Sequence, residues 1–341
     1  MKLGWHMGYW GASMPVDVAP TLRAVEGLGF DSVWASEAWG SDALTPLAWW
    51  GATTSRLRLG TGIAQISART PTATAMAAMT LDHLSGGRFM LGLGVSGPQV
   101  VEGWYGQSFL RPLARTREYV DIVRQALRRE EPVTSAGPHY SLPLPGGTGL
   151  GKPLRLITHP RSPGPPVFLA AEGPKNIALA AEIADGWLPV FYSPQHQELF
   201  ADPLREGWSR PGARRGPETF EILAMVPVAM GDDVEEAADR LRPGLALYLG
   251  GMGARDANFH HEAFCRLGYE REASLVQEHF LAGRRAEAIA AVSTPMVEEV
   301  CLVGPREKIR DDLMAWKESP VTTMMFSGDL DLLRTMAELA A

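Results

Sequence analysis

Leu59 to Ser96 reads LGTGIAQISARTPTATAMAAMTLDHLSGGRFMLGLGVS, one strand, helix, strand unit with its punctuation intact. Leu57, Leu59 and Ile63 lie in an apolar run broken by small residues, and Arg69-Thr70-Pro71 stops it and opens a helix with proline in its first turn. The helix is expected over Thr72 to Leu84, with Ala75, Met76, Met79 and Leu84 at helical spacing on its apolar face. Ser85-Gly86-Gly87 supplies the glycine end that lets the chain leave the last turn left-handed, and the strand Phe89 to Leu93 follows at once. Two parallel strands joined by a helix make a right-handed crossover, so the unit predicts a parallel sheet with helices outside it.

The same rhythm runs outward in both directions. Principal strands are expected near Leu3, Ser32, Leu57, Phe89, Val167, Trp187, Phe220 and Thr322, alternating with helices. Eight such strands predict an α/β chain folded as a (β/α)8 TIM barrel. Residues 1–341 read as one domain of this kind, with inserted regions at 131–166 after strand 4 and at 245–283 after strand 7. The first insertion is rich in proline and glycine and lacks periodicity. The second reads as helical, since Ala263, Leu267, Val276, Phe280 and Leu281 can share helical faces. Phe220 to Met230 reads as one strand and Glu299 to Val303 as a short additional one. Periodicity leaves a doubly wound open sheet as the other arrangement. In both folds the functional loops lie beyond the strands' C-terminal ends.

Composition narrows the function. With 45% apolar and 21% charged residues, and no apolar run near the roughly 20 residues of a membrane helix, the chain reads as soluble and globular. Met1-Lys2-Leu3-Gly4-Trp5 enters a strand directly, which argues against an export signal. Cys265 and Cys301 are far apart, so neither a disulfide framework nor a zinc site is indicated, and a reducing cytoplasm fits. A net charge of −7, with Arg214-Arg215 and Arg284-Arg285 as isolated pairs, argues against a nucleic-acid surface.

Two motifs touch ligand chemistry. Gly92-Leu93-Gly94-Val95-Ser96-Gly97 has GxGxxG spacing, but Pro98 and a turn at Trp104-Tyr105-Gly106 separate it from the next helix, so it reads as a glycine loop at a barrel mouth. In Ala170-Ala171-Glu172-Gly173-Pro174-Lys175-Asn176, strand, glycine, N1 proline and helix follow in direct order. Free amides and the helix dipole there suit an anion, and Lys175 adds charge; an ordinary strand-to-helix turn fits the spacing equally well. His260 and His261 are adjacent and diverge by roughly 100° on a helix, so they cannot share a metal ion. His6 reads as a satisfied interior histidine and His83 as a helix-end cation. No GxSxG, Walker A or HExxH sequence is present, which disfavours hydrolysis. Trp10, Trp39, Trp104, Tyr105 and Tyr192 all fall just past predicted strand ends, where they would line a pocket for a large planar ligand or pack in the core.

Taken together, Asp31-Ser32-Val33-Trp34-Ala35-Ser36-Glu37, Leu59-Gly60-Thr61-Gly62-Ile63, Leu84-Ser85-Gly86-Gly87-Arg88 with Leu91-Gly92-Leu93-Gly94, Ala171-Glu172-Gly173-Pro174 and Ala184-Asp185-Gly186-Trp187 resemble the bacterial luciferase-like monooxygenase superfamily. The likeness is closest to its branch of oxidoreductases that use the deazaflavin coenzyme F420, and it spans nearly the whole chain. The resemblance implies a barrel with an insertion, commonly a homodimer. It implies that Gly62-Ile63 is the bulge with a non-proline cis peptide behind the deazaflavin ring, and that Glu172, Gly173, Pro174, Lys175 and Asn176 hold the cofactor phosphate. Ser36-Glu37-Ala38-Trp39 matches a loop that reads Ser-Asp-His-aromatic in the branch's alcohol and sugar-phosphate dehydrogenases. Here Ala38 stands in the histidine's place.

The expectation is therefore hydride transfer between F420 and a small carbonyl, alcohol, imine or enone, with Glu37 and Trp39 near the reacting face. Trp10, Ser96, Gln99, Tyr105 and Tyr192 are the candidate pocket residues. The alternatives are an FMN-dependent monooxygenase of the same superfamily and a non-catalytic F420 binder.

Overall fold

The computed structural model describes residues 1–12, 16–161, 164–255 and 257–341. Eight parallel strands close on themselves: β1 (Lys2–His6), β2 (Ser32–Ala35), β3 (Arg58–Thr61), β4 (Phe89–Gly94), β5 (Val167–Ala170), β6 (Gly186–Leu188), β7 (Glu221–Met225) and β8 (Thr323–Phe326). Each pairs with its neighbours in sequence, β3 meeting β4 through Leu59 opposite Phe89, and β8 returning to β1 through Thr323 opposite Lys2. The sheet is thus a barrel, and the open doubly wound arrangement is excluded. Outside it pack α1 (Ala19–Gly27), α2 (Leu44–Gly51), α3 (Pro71–Leu84), α4 (Pro112–Arg128), α5 (Pro174–Ile183), α6 (Glu198–Ser209), α7 (Arg306–Glu318) and α8 (Leu330–Ala340).

The opening unit folds as its punctuation dictates. Thr70 caps α3 by accepting the Ala73 amide, Pro71 takes the first turn, and Gly86 and Gly87 carry φ of 71° and 91° past its end. The buried stripe is Thr74, Ala75, Ala78, Met79 and Leu81; Met76 and Leu84, expected on that face, point outward. Small residues face the sheet because a helix lying across strands leaves little room beneath it.

Strand residues alternate between two environments, as a pleated strand requires. Val33, Leu59, Leu91, Leu169, Trp187 and Ile222 face the helices, whereas Trp34, Met90, Phe168, Leu188, Leu223 and Met325 fill the barrel. Trp34 and Phe168 meet edge to face at 6.0 Å. Glycines opposite them give way: a Cβ on Gly60 would lie 2.3 Å from the Trp34 ring, and one on Gly186 2.5 Å from Phe168. At the strands' N-terminal end Arg58 closes the barrel, bonding Asp31 at 2.7 Å and Glu221 at 2.9 Å.

The two insertions occupy different ends of the chain path. Residues 131–166 leave the end of α4 and re-enter the sheet at the start of β5; the described residues among them form a hairpin of Ser135–Ala136 with Ser141–Leu142. This segment bonds α3 and α4, for example through His83 Nε2 to the His159 carbonyl at 2.9 Å and Glu118 to the His139 and Tyr140 amides. The first insertion thus follows β4 and its helix α4, as its expected bounds imply, and His83, in the last turn of α3, bonds the insertion as well. The second insertion runs from β7 to α7. Phe220 to Met230 is not continuous: Pro227 ends the barrel strand, and Val228–Met230 pairs instead with Leu302–Gly304. Between these lie six helices among the described residues, from Val234–Asp239 to Thr294–Val300, wider than the expected 245–283. The last of them takes Glu299, expected in a strand, because Ser293 caps it. They have a core of their own, including Leu249, Phe264, Val276 and Met296, with Phe191.

The packing of β3 against β4 gives a direct test. A Cβ on Gly92 would lie 2.0 Å from the Thr61 carbonyl oxygen and 2.8 Å from Leu188, and the backbone cannot yield as a side chain can. Gly92→Ala is expected to cost about 3 kcal/mol or more in urea denaturation, whereas a change below about 0.5 kcal/mol would show that the contact relaxes freely.

Candidate active site

At the C-terminal end of β3 the Gly62-Ile63 peptide is cis, and the chain continues into Ala64–Gln65, which pairs with the end of β4. Two side chains, Ser36 and His6, hold this bulge from below. The Ser36 hydroxyl donates to the Gly62 carbonyl at 2.8 Å, so the proton between Ser36 Oγ and His6 Nε2, 2.7 Å apart, comes from the imidazole. His6 Nδ1 in turn accepts the Gly8 amide at 3.2 Å and lies 3.3 Å from the Ser327 hydroxyl. His6 is thus the neutral Nε2–H tautomer with both ring nitrogens engaged, the satisfied interior histidine that its place in a strand suggested.

Glu37 is the second brace. It is buried, accepts the Gln65 amide at 2.7 Å and pairs with Arg69 at 2.7 Å, while Gln65 Nε2 donates back to the Glu37 carbonyl at 3.0 Å. Both carboxylate oxygens face the bulge and Arg69, so Glu37 positions backbone instead of standing free as a proton-exchanging group. Tyr105 lies nearby, half-buried, its phenol held above the ordinary range by burial and by the Glu37 carboxylate.

At the end of β5, Gly173 caps α5 with no side-chain bond, Pro174 follows, and Pro174 and Lys175 are exposed. The Asn176 amide turns back to the Gly173 carbonyl at 2.9 Å. A Cβ on Gly173 would meet nothing within 4 Å, so the approach to the helix start is open. Glu172 reaches the helical insertion: its Oε1 lies 2.7 Å from His260 Nδ1, and its carbonyl accepts Arg266 Nη2 at 2.9 Å. His260 packs on Tyr248 at 4.8 Å and Phe191 at 5.7 Å, and Tyr248 meets Tyr9 hydroxyl to hydroxyl at 3.2 Å. Burial and the neighbouring Tyr9 and Glu172 keep Tyr248 protonated, well above the ordinary phenol range. His261 turns the other way, towards Cys265 and Ser274, as the spacing of the two histidines required.

The other expected residues divide. Ser96, half-buried with φ of 60°, and exposed Gln99 lie on the loop and short helix after β4, and Trp39 is 62% exposed beyond β2. Trp10 packs against Trp50 of α2 at 5.9 Å. Tyr192 does not line the mouth: it is fully buried between Phe200, Trp187 and Trp316, at 4.9, 6.1 and 5.9 Å, where the chain has turned outward into the helical layer.

The bulge after β3 and the open helix start after β5 share one barrel end. The sequence model for luciferase-like monooxygenases matches residues 13–323. The chain belongs to that family. It is 55% identical, over 99% of both chains, to a Mycobacterium tuberculosis protein provisionally named a coenzyme F420-dependent oxidoreductase. Among solved structures, the coenzyme F420 dependent tetrahydromethanopterin reductase of Methanopyrus kandleri superposes with a TM-score of 0.76 at 22% identity, covering 99% of this chain and 98% of that one. An F420-dependent secondary alcohol dehydrogenase follows at 0.73 and 19%, covering 99% and 97%. At those identities the two structures establish the luciferase-like fold.

Two cavities lie beside the mouth of this luciferase-like barrel. One of about 450 Å³ separates α8 from the insertion and is lined by Met230, Arg240, Ser327 and Asp329. The other, about 140 Å³, lies under Tyr248 against Phe191 and Met225. Neither is lined by the β3 bulge or the start of α5. Sequence reasoning missed Ser36, Gln65 and Arg69 as braces, and Tyr9, Tyr248 and His260 as neighbours of the β5 loop. Only the place of Ser36 and Tyr9 just past strand ends could have signalled any of them.

Burial holds the His6 imidazole below its ordinary value of 6.5. A folded value under the unfolded one means the unfolded chain binds the proton first, so His6 lowers stability as pH falls through about 6.5 and below. Thermal unfolding followed between about pH 7 and 5 should show a midpoint that declines less steeply in His6→Gln, by on the order of 1 kcal/mol at the acid end. Parallel curves for the two proteins would mean that His6 accepts a proton in place.

Proposed function

We propose that the chain is an oxidoreductase that transfers hydride between coenzyme F420 and a small organic substrate. The observation that carries this reading is the pairing, at one barrel mouth, of the braced Gly62-Ile63 bulge with an uncapped α5 start open to a ligand. The relative at 55% identity supports the same cofactor. When bound, the deazaflavin supplies the hydride-accepting or hydride-donating carbon; the protein's share is position and electrostatics.

In this reading Gly62 and Ile63 form the wall behind the ring, kept in place by Ser36, His6, Glu37 and Arg69. Gly173, Pro174, Lys175 and Asn176 receive the phosphate, through the Lys175 amide, the α5 dipole and the Lys175 charge. Trp39, Ser96, Gln99 and Tyr105 rim the mouth on the substrate side. With Ala38 in the place of the branch's histidine and Glu37 committed to Arg69, reduction of an activated carbonyl, imine or enone suits the site better than oxidation of an alcohol, since water can supply the proton.

The wider setting we infer is a cytoplasmic homodimer. Trp49, Met76 and Leu84 leave apolar surface exposed on α2 and α3, which a second copy would cover. No helix is long and apolar enough to cross a membrane among the described residues.

Titration of the purified protein with F420 and separately with FMN, followed by ligand fluorescence, tests the reading. F420 is expected to bind and FMN not; binding of FMN alone would indicate an oxygen-using enzyme of the family, and failure to bind either ligand would overturn the oxidoreductase reading. Gly173→Val should weaken F420 by about tenfold, near 1.4 kcal/mol, with an unchanged melting temperature, because its Cβ has open space. Unchanged affinity would exclude this helix start as the phosphate site.

A further inference from the structure

The Glu172 carboxylate is unevenly served. Oε1 lies 2.7 Å from His260 Nδ1, although the approach is not aligned as a hydrogen bond. Oε2 is buried and meets no donor among the described residues. A buried carboxylate oxygen without a donor is costly, and each such atom in a native structure calls for an explanation, a bound partner among them. Glu172 immediately precedes the open cap of α5, and the aromatic wall of Tyr248 and Phe191 flanks its histidine partner.

The missing partner is a donor, which rules out phosphate. A carboxylate oxygen only accepts, a phosphate near neutral pH accepts likewise, and two anions in contact repel. A neutral hydroxyl fits. A cofactor whose ring rests on the β3 bulge and whose phosphate reaches α5 must run its linking chain between those two loops. In deazaflavins and flavins that chain is a ribityl polyol. We propose that Glu172, braced by His260, accepts a hydrogen bond from a hydroxyl of this polyol chain, and is not a phosphate ligand as its place in the motif suggested. The inference rests on the cofactor reading above.

The test compares two ligands that differ by the phosphate: F420, and a deazaflavin carrying the ribityl chain alone. Glu172→Ala is expected to weaken both by about tenfold, and Glu172→Gln, which keeps an acceptor oxygen, by less. His260→Gln, which keeps the carboxylate and loosens its brace, should weaken both by an intermediate factor and covers the case in which Glu172→Ala fails to fold. If Glu172 acts on the phosphate through charge alone, its removal tightens F420 and leaves the phosphate-free ligand unchanged; that outcome, or no change in either, overturns the proposal. A wild-type protein that binds FMN and not F420 overturns the choice of cofactor, and the same comparison of FMN with riboflavin then decides the inference, because both carry the ribityl chain. A wild-type protein that binds none of these ligands overturns both.

Discussion

Trp34 sets the geometry on which the rest depends. Its indole lies inside the barrel, with Nε1 donating to Ser32 at 3.0 Å, and β3 can approach it only because residue 60 is glycine. The same ring reaches up to the bulge, where a Cβ on Gly62 would lie 3.4 Å from it. The floor under the cis peptide is therefore a core side chain, and the bulge cannot sink without moving the barrel interior. Close packing of this kind transmits position well, because interiors are dense and yield little.

Above that floor the constraints are polar. Glu37 and Arg69 form an ion pair with the carboxylate only 3% exposed and the guanidinium 23%. Desolvation offsets much of the Coulomb attraction in such a pair, so its contribution is better sought in geometry than in stability. It fixes the Gln65 amide, and with Ser36 on the Gly62 carbonyl it fixes both sides of the bulge. The α5 start is left in the opposite condition, uncapped and open. One half of the candidate site is braced by side chains, and the other is left without a side-chain cap.

The barrel was legible in the sequence because its signals are local. Each of the eight strands is a short apolar run bounded by glycine, proline or a helix start, and all eight lie where the pattern put them. The failures occur where the decision is not local. Tyr192 follows β6 by four residues, and nothing in its immediate neighbours says whether the loop turns towards the mouth or into the helices; packing on Phe200 of the next helix and on Trp316, far along the chain, decides it. Glu37 was recognised by position, but its partner Arg69 lies 32 residues on. His260 was dismissed as one of an unsuitable pair, although divergence is the property that lets it alone face Glu172.

The mouth is assembled from two cores, and this division bears on what can change independently. Leu188 of β6 packs inside the barrel, whereas Phe191, three residues later, belongs to the core of the helical insertion. The bulge and the α5 cap are tied to the barrel core through Trp34, His6 and the strand ends. Tyr248 and His260 are tied to the insertion core through Phe191 and Phe264. Under the proposed reading, cofactor contacts therefore come mainly from the rigid barrel loops. The insertion contributes a brace for the polyol chain and a wall beside the substrate. Repacking of the insertion can then reshape the substrate side while the ring wall keeps its place, and Glu172 is where the two cores meet, with its backbone in the β5 loop and its carboxylate held by the insertion's histidine.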